Sequence, residues 1–196
     1  MKNKTILLIG GTGYIGSHVY IELIKKGYTP IIFDNFSNSF EEKIDKIHKY
    51  INQKILYFKG DILNKSELQE VFCLHKFDGV IHLAALKSVT ESDENYIDYY
   101  QNNITGLINL IDVMSKNSVK KIIFSSSATV YGENAISPVN EEMKVCSNNT
   151  YGLTKIIDED LLRNICRIDK EWSSISLRYF NPAGCSDIEL LNEEPK

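Results

Sequence analysis

Tyr151-Gly152-Leu153-Thr154-Lys155 places a phenol and an ammonium four residues apart, on one face of the chain if the segment is helical. An unperturbed tyrosine titrates near 10. Bringing it close to neutrality, where it could take a proton from a hydroxyl, needs roughly 4 kcal/mol of differential stabilisation of the phenolate. A neighbouring lysine is expected to supply part of this, because a nearby positive charge favours the ionised form. Tyr-x-x-x-Lys also occurs on exposed helices by chance, so its weight comes from its surroundings. Upstream lies Ser125-Ser126-Ser127-Ala128-Thr129-Val130-Tyr131-Gly132. A triple serine is usually a solvated turn, but here it follows an apolar run that reads as a strand. Ser127 then leaves the carboxyl edge of a sheet, where it could meet Tyr151 and a substrate hydroxyl.

A second group of residues suits a phosphate. Gly10-Gly11-Thr12-Gly13-Tyr14-Ile15-Gly16 follows the apolar run Ile6-Leu7-Leu8-Ile9 and gives glycine at 10, 13 and 16. Missing side chains let a backbone turn tightly, approach a pyrophosphate and pack a helix close to a sheet, while the helix N-terminus offers N–H groups to the anion. Asp34 ends the next apolar run, where a carboxylate can accept from both hydroxyls of an adenosine ribose and would repel a 2′-phosphate. This favours NAD over NADP. The small residues of Leu83-Ala84-Ala85-Leu86-Lys87 would let such a cofactor lie across a strand end, and its nicotinamide cation could help lower the affinity of Tyr151 for its proton.

These residues need a scaffold. Apolar runs rich in β-branched residues alternate with longer segments of helical period, the pattern of a parallel sheet covered by helices. Strands are expected at Thr5-Ile9, Thr29-Phe33, Ile55-Lys59, Val80-Leu83, Lys121-Ser125 and Ser174-Arg178. Helices are expected at Tyr14-Lys26, Phe40-Tyr50, Lys65-His75, Tyr96-Ser115 and Tyr151-Arg167. The predicted fold is α/β, a doubly wound Rossmann-like sheet with its ligand beyond the carboxyl ends of the strands, where strand order reverses. Glu133 to Asn149, with Pro138 and Asn148-Asn149, reads as a loop over that site. Residues 1–185 are expected to form one cofactor domain and 186–196 a tail, frayed from Glu189, or the start of another domain.

Composition narrows the partners. The 196 residues are 43% hydrophobic and 24% charged, with a net charge of -4. The sequence pI is 5.6, and Lys and Arg are scattered. No basic field for nucleic acid or anionic lipid is expected, and small molecules are the better partners. Cys73, Cys146, Cys166 and Cys185 have no Cys-x-x-Cys spacing, and Cys73-Leu74-His75 lacks further ligands, so neither metal nor disulfides are expected. Glycines interrupt the first apolar run at once and no small-residue cleavage site follows, so it reads as a strand rather than a signal peptide, and no segment reaches membrane-spanning length. A cytoplasmic location is the expectation.

The sequence resembles the extended short-chain dehydrogenase/reductases, most closely their UDP-glucose 4-epimerase branch. The likeness runs through Gly10 to Ser17, Asp34 to Ser39, Gly60-Asp61-Ile62, Ala85 to Val89, Tyr99 to Asn103, Ser125 to Gly132, Tyr151 to Lys155 and Leu177-Arg178-Tyr179-Phe180-Asn181-Pro182-Ala183-Gly184. It implies that Tyr14, Ile15, Asp34, Asn35, Phe36, Ser37, Asn38, Ser39, Asp61, Ile62, Leu83 to Lys87, Asn102 and Phe180 line NAD. It implies that Ser127, Tyr151 and Asn181 face a sugar nucleotide, UDP-glucose or UDP-galactose. Tyr151 would be the base, Ser127 would bond the same oxygen, and Lys155 would hold the nicotinamide ribose. Relatives continue past the Arg-Tyr-Phe-Asn-Pro block into a smaller domain that grips the nucleotide. A stretch ending at Lys196 is therefore expected to turn over poorly by itself. Another sugar-nucleotide epimerase or dehydratase, and a silent NAD-binding module, are the competing readings. Apolar residues beyond one stripe on the helices at 96–115 and 151–167 (Ile104, Leu107, Ile108 and Ile111; Leu153, Ile156, Ile157, Leu161, Leu162 and Ile165) suggest a homodimer.

Overall fold

A computed structural model of the chain describes residues 3–184. The expected tail from Glu189, the division at 185/186 and Cys185 lie outside the described residues. In chain order the elements are β1 (Thr5–Ile9), α1 (Tyr14–Lys25), β2 (Thr29–Asp34), α2 (Glu42–Ile51), β3 (Tyr57–Lys59), α3 (Lys65–Leu74) and β4 (Gly79–His82). There follow α4 (Val89–Glu94), α5 (Tyr96–Tyr99), a π-helical segment (Tyr100–Thr105) and α6 (Gly106–Lys116). The chain continues with β5 (Lys121–Ser127), a 3-10 turn (Ala128–Tyr131), α7 (Thr150–Ile168) and β6 (Ser173–Tyr179).

All six strands are parallel, in the order β3-β2-β1-β4-β5-β6. Strand order reverses between β1 and β4, so the crevice lies above Ile9 and His82, as the doubly wound pattern requires. Alternation along each strand divides the apolar residues between two faces. Leu7, Ile9, Ile31, Phe33, Val80, Ile122 and Phe124 face α3, α6 and α7, whose Leu68, Val71, Leu107, Leu110 and Leu162 complete one core. Leu8 and Ile32 face Tyr20, Ile21, Ile44 and Ile47 of α1 and α2 in the other. On this second face the register continues through Ile81, Ile123 and Ile175. There the cover runs out among the described residues, and Ile175 and Leu177 of edge strand β6 are 55% and 40% exposed.

Three expectations need correction. The helix expected over 96–115 is broken, because residues 100–105 widen into a π-helical turn that buries Asn103. Two short elements, α4 and the 3-10 turn, fall where no helix is expected, being shorter than the run from which a helical period can be read. Strand five extends two residues further, to Ser127. Among the described residues no helix is long and apolar enough to cross a membrane.

Candidate active site

Each strand ends in a segment that the sequence marks for function: Gly10 after β1, Asp34 at the end of β2, Asp61 after β3, Leu83 to Lys87 after β4, Ser127 ending β5 and Phe180-Asn181 after β6. Parallel pairing brings all six to one edge. Tyr151 joins them because α7 starts from that same edge.

The glycine turn fits a pyrophosphate on three counts. A Cβ on Gly16 would lie 2.2 Å from the Gly10 carbonyl oxygen, and one on Gly10 would lie 2.6 Å from the backbone nitrogen of Ala84. Glycine at these positions therefore lets α1 and β4 approach the turn. At Gly13 a Cβ would meet only the Gly10 oxygen, at 3.4 Å. Packing within the protein does not require glycine there, whereas close approach of a ligand would. Among the described residues no side chain caps the N-terminus of α1, and no acidic residue lies in its first turn. The start of α7 is the opposite case. Asp93 accepts from the Thr150 N–H at 2.9 Å, Ser92 from the Tyr151 N–H at 3.1 Å and Asn149 from the Gly152 N–H at 2.8 Å. One helix end is left for an anion and the other is closed by the protein.

Asp34 and its loop form a braced arm beside the turn. Its two oxygens accept from the N–H groups of Thr12 and Phe36, each at 3.0 Å. The buried Thr12 hydroxyl also meets Ser39 Oγ at 2.6 Å. Asn35 donates to Asp61 at 3.0 Å, tying the ends of β2 and β3 together. Ile15 lies in the first turn of α1, and Tyr14 donates to the Gly184 carbonyl, which brings the segment after β6 back to the glycine turn. Ser37 and Asn38 continue the arm from Asp34 to Ser39. Three residues that the resemblance assigns to the cofactor are buried: Ser39 against the Thr12 hydroxyl, Phe36 in the core with Leu8, Tyr20 and Ile44, and Ile62 among the residues under α6. Their side chains hold the loops from below.

Asn102 is half-buried and donates to its neighbour Asn103 at 2.9 Å. Asn103 carries the larger structural role. Its amide accepts from the Leu86 N–H at 2.9 Å and donates to the Leu86 carbonyl and to Thr154 Oγ1, both at 3.1 Å. The segment after β4 is thus clamped to α7. Sequence reasoning missed this amide, along with Thr12, Ser92 and Asp93; an Asn-Asn pair interrupting an apolar helical period is the signal that marks it.

Lys155 is 2% exposed, with its ammonium 4.6 Å from the centroid of the Phe124 ring and 5.8 Å from that of Tyr151. The expected effect of Lys155 on Tyr151 is absent. Burial pushes the phenol above its ordinary range, and the neighbouring Ser127 hydroxyl is the group that pulls it down. Behind Ser127, Glu159 receives a two-pronged bond from Arg178 at 2.9 and 2.6 Å and accepts from Ser126. Arg178 also donates to the Tyr131 hydroxyl at 2.9 Å, and Tyr131 stacks against the exposed Phe180. Asn181 is exposed beyond them. Glu133 to Asn149 is a loop, as expected, and returns through a Cys146 N–H bond to the Val130 carbonyl at 2.8 Å. A groove of 670 Å³ opens beside β6, lined by Tyr131, Arg178 and Phe180 but not by the glycine turn.

This sheet order, with a glycine turn at the switch point and a carboxylate ending β2, defines a Rossmann-like nucleotide-binding domain. The chain belongs to the NAD dependent epimerase/dehydratase family, whose model matches residues 6–193. It is 46% identical to a UDP-glucose 4-epimerase of Dictyostelium discoideum, over 97% of this chain and 56% of that one. It is 41% identical to a bifunctional UDP-glucose 4-epimerase and UDP-xylose 4-epimerase of Pisum sativum, over 100% of this chain and 57% of that one. The fold superposes on UDP-glucose 4-epimerase from Bifidobacterium longum, solved with NAD+ and UDP, with a TM-score of 0.95 at 41% identity, covering 98% of this chain and 58% of the other. The chain therefore spans a little over half the length of the relatives it matches.

Proposed function

We propose that the protein binds NAD and acts as a UDP-glucose 4-epimerase, interconverting UDP-glucose and UDP-galactose. The observation that carries this reading is the convergence of Tyr151, Ser127 and Lys155 with the uncapped glycine turn on one sheet edge, in a chain whose relatives are epimerases. Gly10, Gly13, Tyr14, Ile15 and Gly16 would hold the pyrophosphate and Asp34 the adenosine ribose. NAD, when bound, would supply the hydride acceptor and donor for C4 of the sugar. Tyr151 takes the proton of the 4-hydroxyl, with Ser127 hydrogen-bonded to the same oxygen so that the developing charge is shared. Lys155 keeps a positive charge beneath this pair, and Asn181 faces the sugar. Incubating the protein with NAD and UDP-galactose and following UDP-glucose tests the reading; NAD binding without any interconversion would reduce it to a binding module. The two activities of the Pisum sativum relative make UDP-xylose the natural second substrate to assay.

NAD should bind more tightly than NADP, because Asp34 places a negative charge where a 2′-phosphate would lie. Asp34→Asn is expected to narrow the difference. Replacing one acceptor oxygen by an amide also disturbs its bonds to Thr12 or Phe36 and weakens both cofactors, so the ratio of the two affinities by calorimetry is the readout. Equal affinities in the parent protein would remove the argument.

We further propose a homodimer. Of the apolar residues beyond one stripe, Leu107 and Leu162 are in the core, whereas Ile108, Leu153 and Ile157 are 49%, 39% and 41% exposed, with Ile97 at 53%. α4, α5 and the π-helical segment pack against α7, so these side chains suit a symmetric helical contact between two copies. Light scattering at tens of micromolar should give twice the chain mass, and Ile108→Glu with Ile157→Glu should halve it. A monomer in the parent decides against the contact.

A further inference from the structure

Asp158 follows Lys155 by three residues on α7. It is fully buried, and among the described residues neither carboxylate oxygen has a hydrogen-bond partner. Its buried neighbours on the helix are satisfied: Thr154 by Asn103, and Glu159 by Arg178 and Ser126. A carboxyl in such a place is costly, and an apolar side chain of similar volume would avoid the desolvation. Among the described residues, the charge that opposes this cost is the Lys155 ammonium, equally buried over Phe124 and three residues earlier on the same helix. Burial drives the Asp158 carboxyl upward and the Lys155 ammonium downward, and the charge of each opposes the shift of the other.

The remaining charges near α7 are otherwise engaged. Glu159 also supports Lys155 but is bound by Arg178 of β6. His82 of β4 is buried and kept neutral, chiefly by desolvation and then by Lys155. Glu91, Asp93 and Asp98 of α4 and α5 are exposed, Tyr99 donates to the Ser88 carbonyl, and Tyr131 is held by Arg178. Tyr179 of β6 is pushed up by burial. The π-helical segment carries no charged side chain, and Lys121 lies at the far, exposed end of β5.

We propose that Asp158 is a positioning residue for the Tyr151–Lys155 unit, its carboxylate the counter-charge that holds the Lys155 ammonium in place one helical turn beyond Tyr151. This rests on the reading that Tyr151 and Lys155 act together, but its test needs neither NAD nor sugar, so loss of the epimerase reading would leave the result interpretable. With lysine ε-carbons and aspartate γ-carbons labelled with carbon-13, Lys155 is assigned by its disappearance in Lys155→Met and titrated in the 196-residue protein. Asp158→Asn should move the Lys155 midpoint about one pH unit lower, roughly a tenfold change in its ionisation constant, and Lys155→Met should move the Asp158 midpoint higher. Asp158→Leu should shift Lys155 the same way. A purely structural residue would move stability alone. A Lys155 midpoint unchanged in both Asp158 variants overturns the proposal. If those variants do not fold, a parent Asp158 midpoint that Lys155→Met leaves in place does the same.

Discussion

In a full-length version of the protein, Tyr151→Phe is expected to reduce the proposed interconversion of UDP-glucose and UDP-galactose by about a hundredfold to ten-thousandfold, the range for loss of a positioned proton-transfer group. NAD affinity should stay nearly unchanged. The half-buried ring is retained, and the start of α7 is held by Ser92, Asp93 and Asn149 through backbone N–H groups that the substitution does not touch. Because burial holds the phenol above its usual range in the free protein, Tyr151 should add no phenolate absorbance at neutral pH without cofactor. Bound NAD, with its positive ring, is the group that would bring it down. A variant that retains most of its turnover, with cofactor still bound, would remove Tyr151 from the chemistry.

Glu159→Ala should cost about 3–5 kcal/mol of folding stability, because it leaves a largely buried guanidinium without its partner. Glu159 is 5% exposed and Arg178 14%. Their pairing joins α7 to β6 and, through Ser126 and Tyr131, to the strand end that carries Ser127. Burial alone would push the Glu159 carboxyl up, but Arg178 and Ser126 outweigh it and hold it below the usual carboxylate range. A depressed folded-state value contributes stability above the unfolded-state value, and that contribution is lost as pH falls through the folded one. Urea titrations should therefore show the deficit of the variant largest at neutral pH and shrinking in acid. A deficit below about 1 kcal/mol, the size expected of an exposed pair, would mean that the brace is weak.

The sheet was legible because buried parallel strands are short apolar runs, and all six are placed to within two residues or so at each end. Residues whose function depends on local chain geometry were legible too: the glycine turn announces itself by its spacing, and Asp34 by ending a strand. What escaped notice acts across long separations. Asn103 clamps Leu86 to Thr154, 51 residues away from it, and Asp93 caps a helix 57 residues on. Nothing in the local pattern of Ser92-Asp93 marks it as a cap for another element. The π-helical turn was hidden because it preserves the apolar residues of a regular helix and shifts only their phase. The environment of Tyr151 was misjudged for a related reason: helical spacing shows that Lys155 is near but says nothing about how much water both side chains lose on folding.

The half-covered second face of the sheet bears on how the chain leaves the ribosome. Synthesis runs from β1 towards β6, so the strands next to the glycine turn can pair and receive α1 and α2 before the last edge appears. Ile175 and Leu177 emerge after the other five described strands, beside a line of backbone donors and acceptors that no described strand occupies. An open edge of that kind is a template for any extended segment that meets it. Because β5 precedes it, β6 finds its partner in the sheet already formed on one side as soon as it appears.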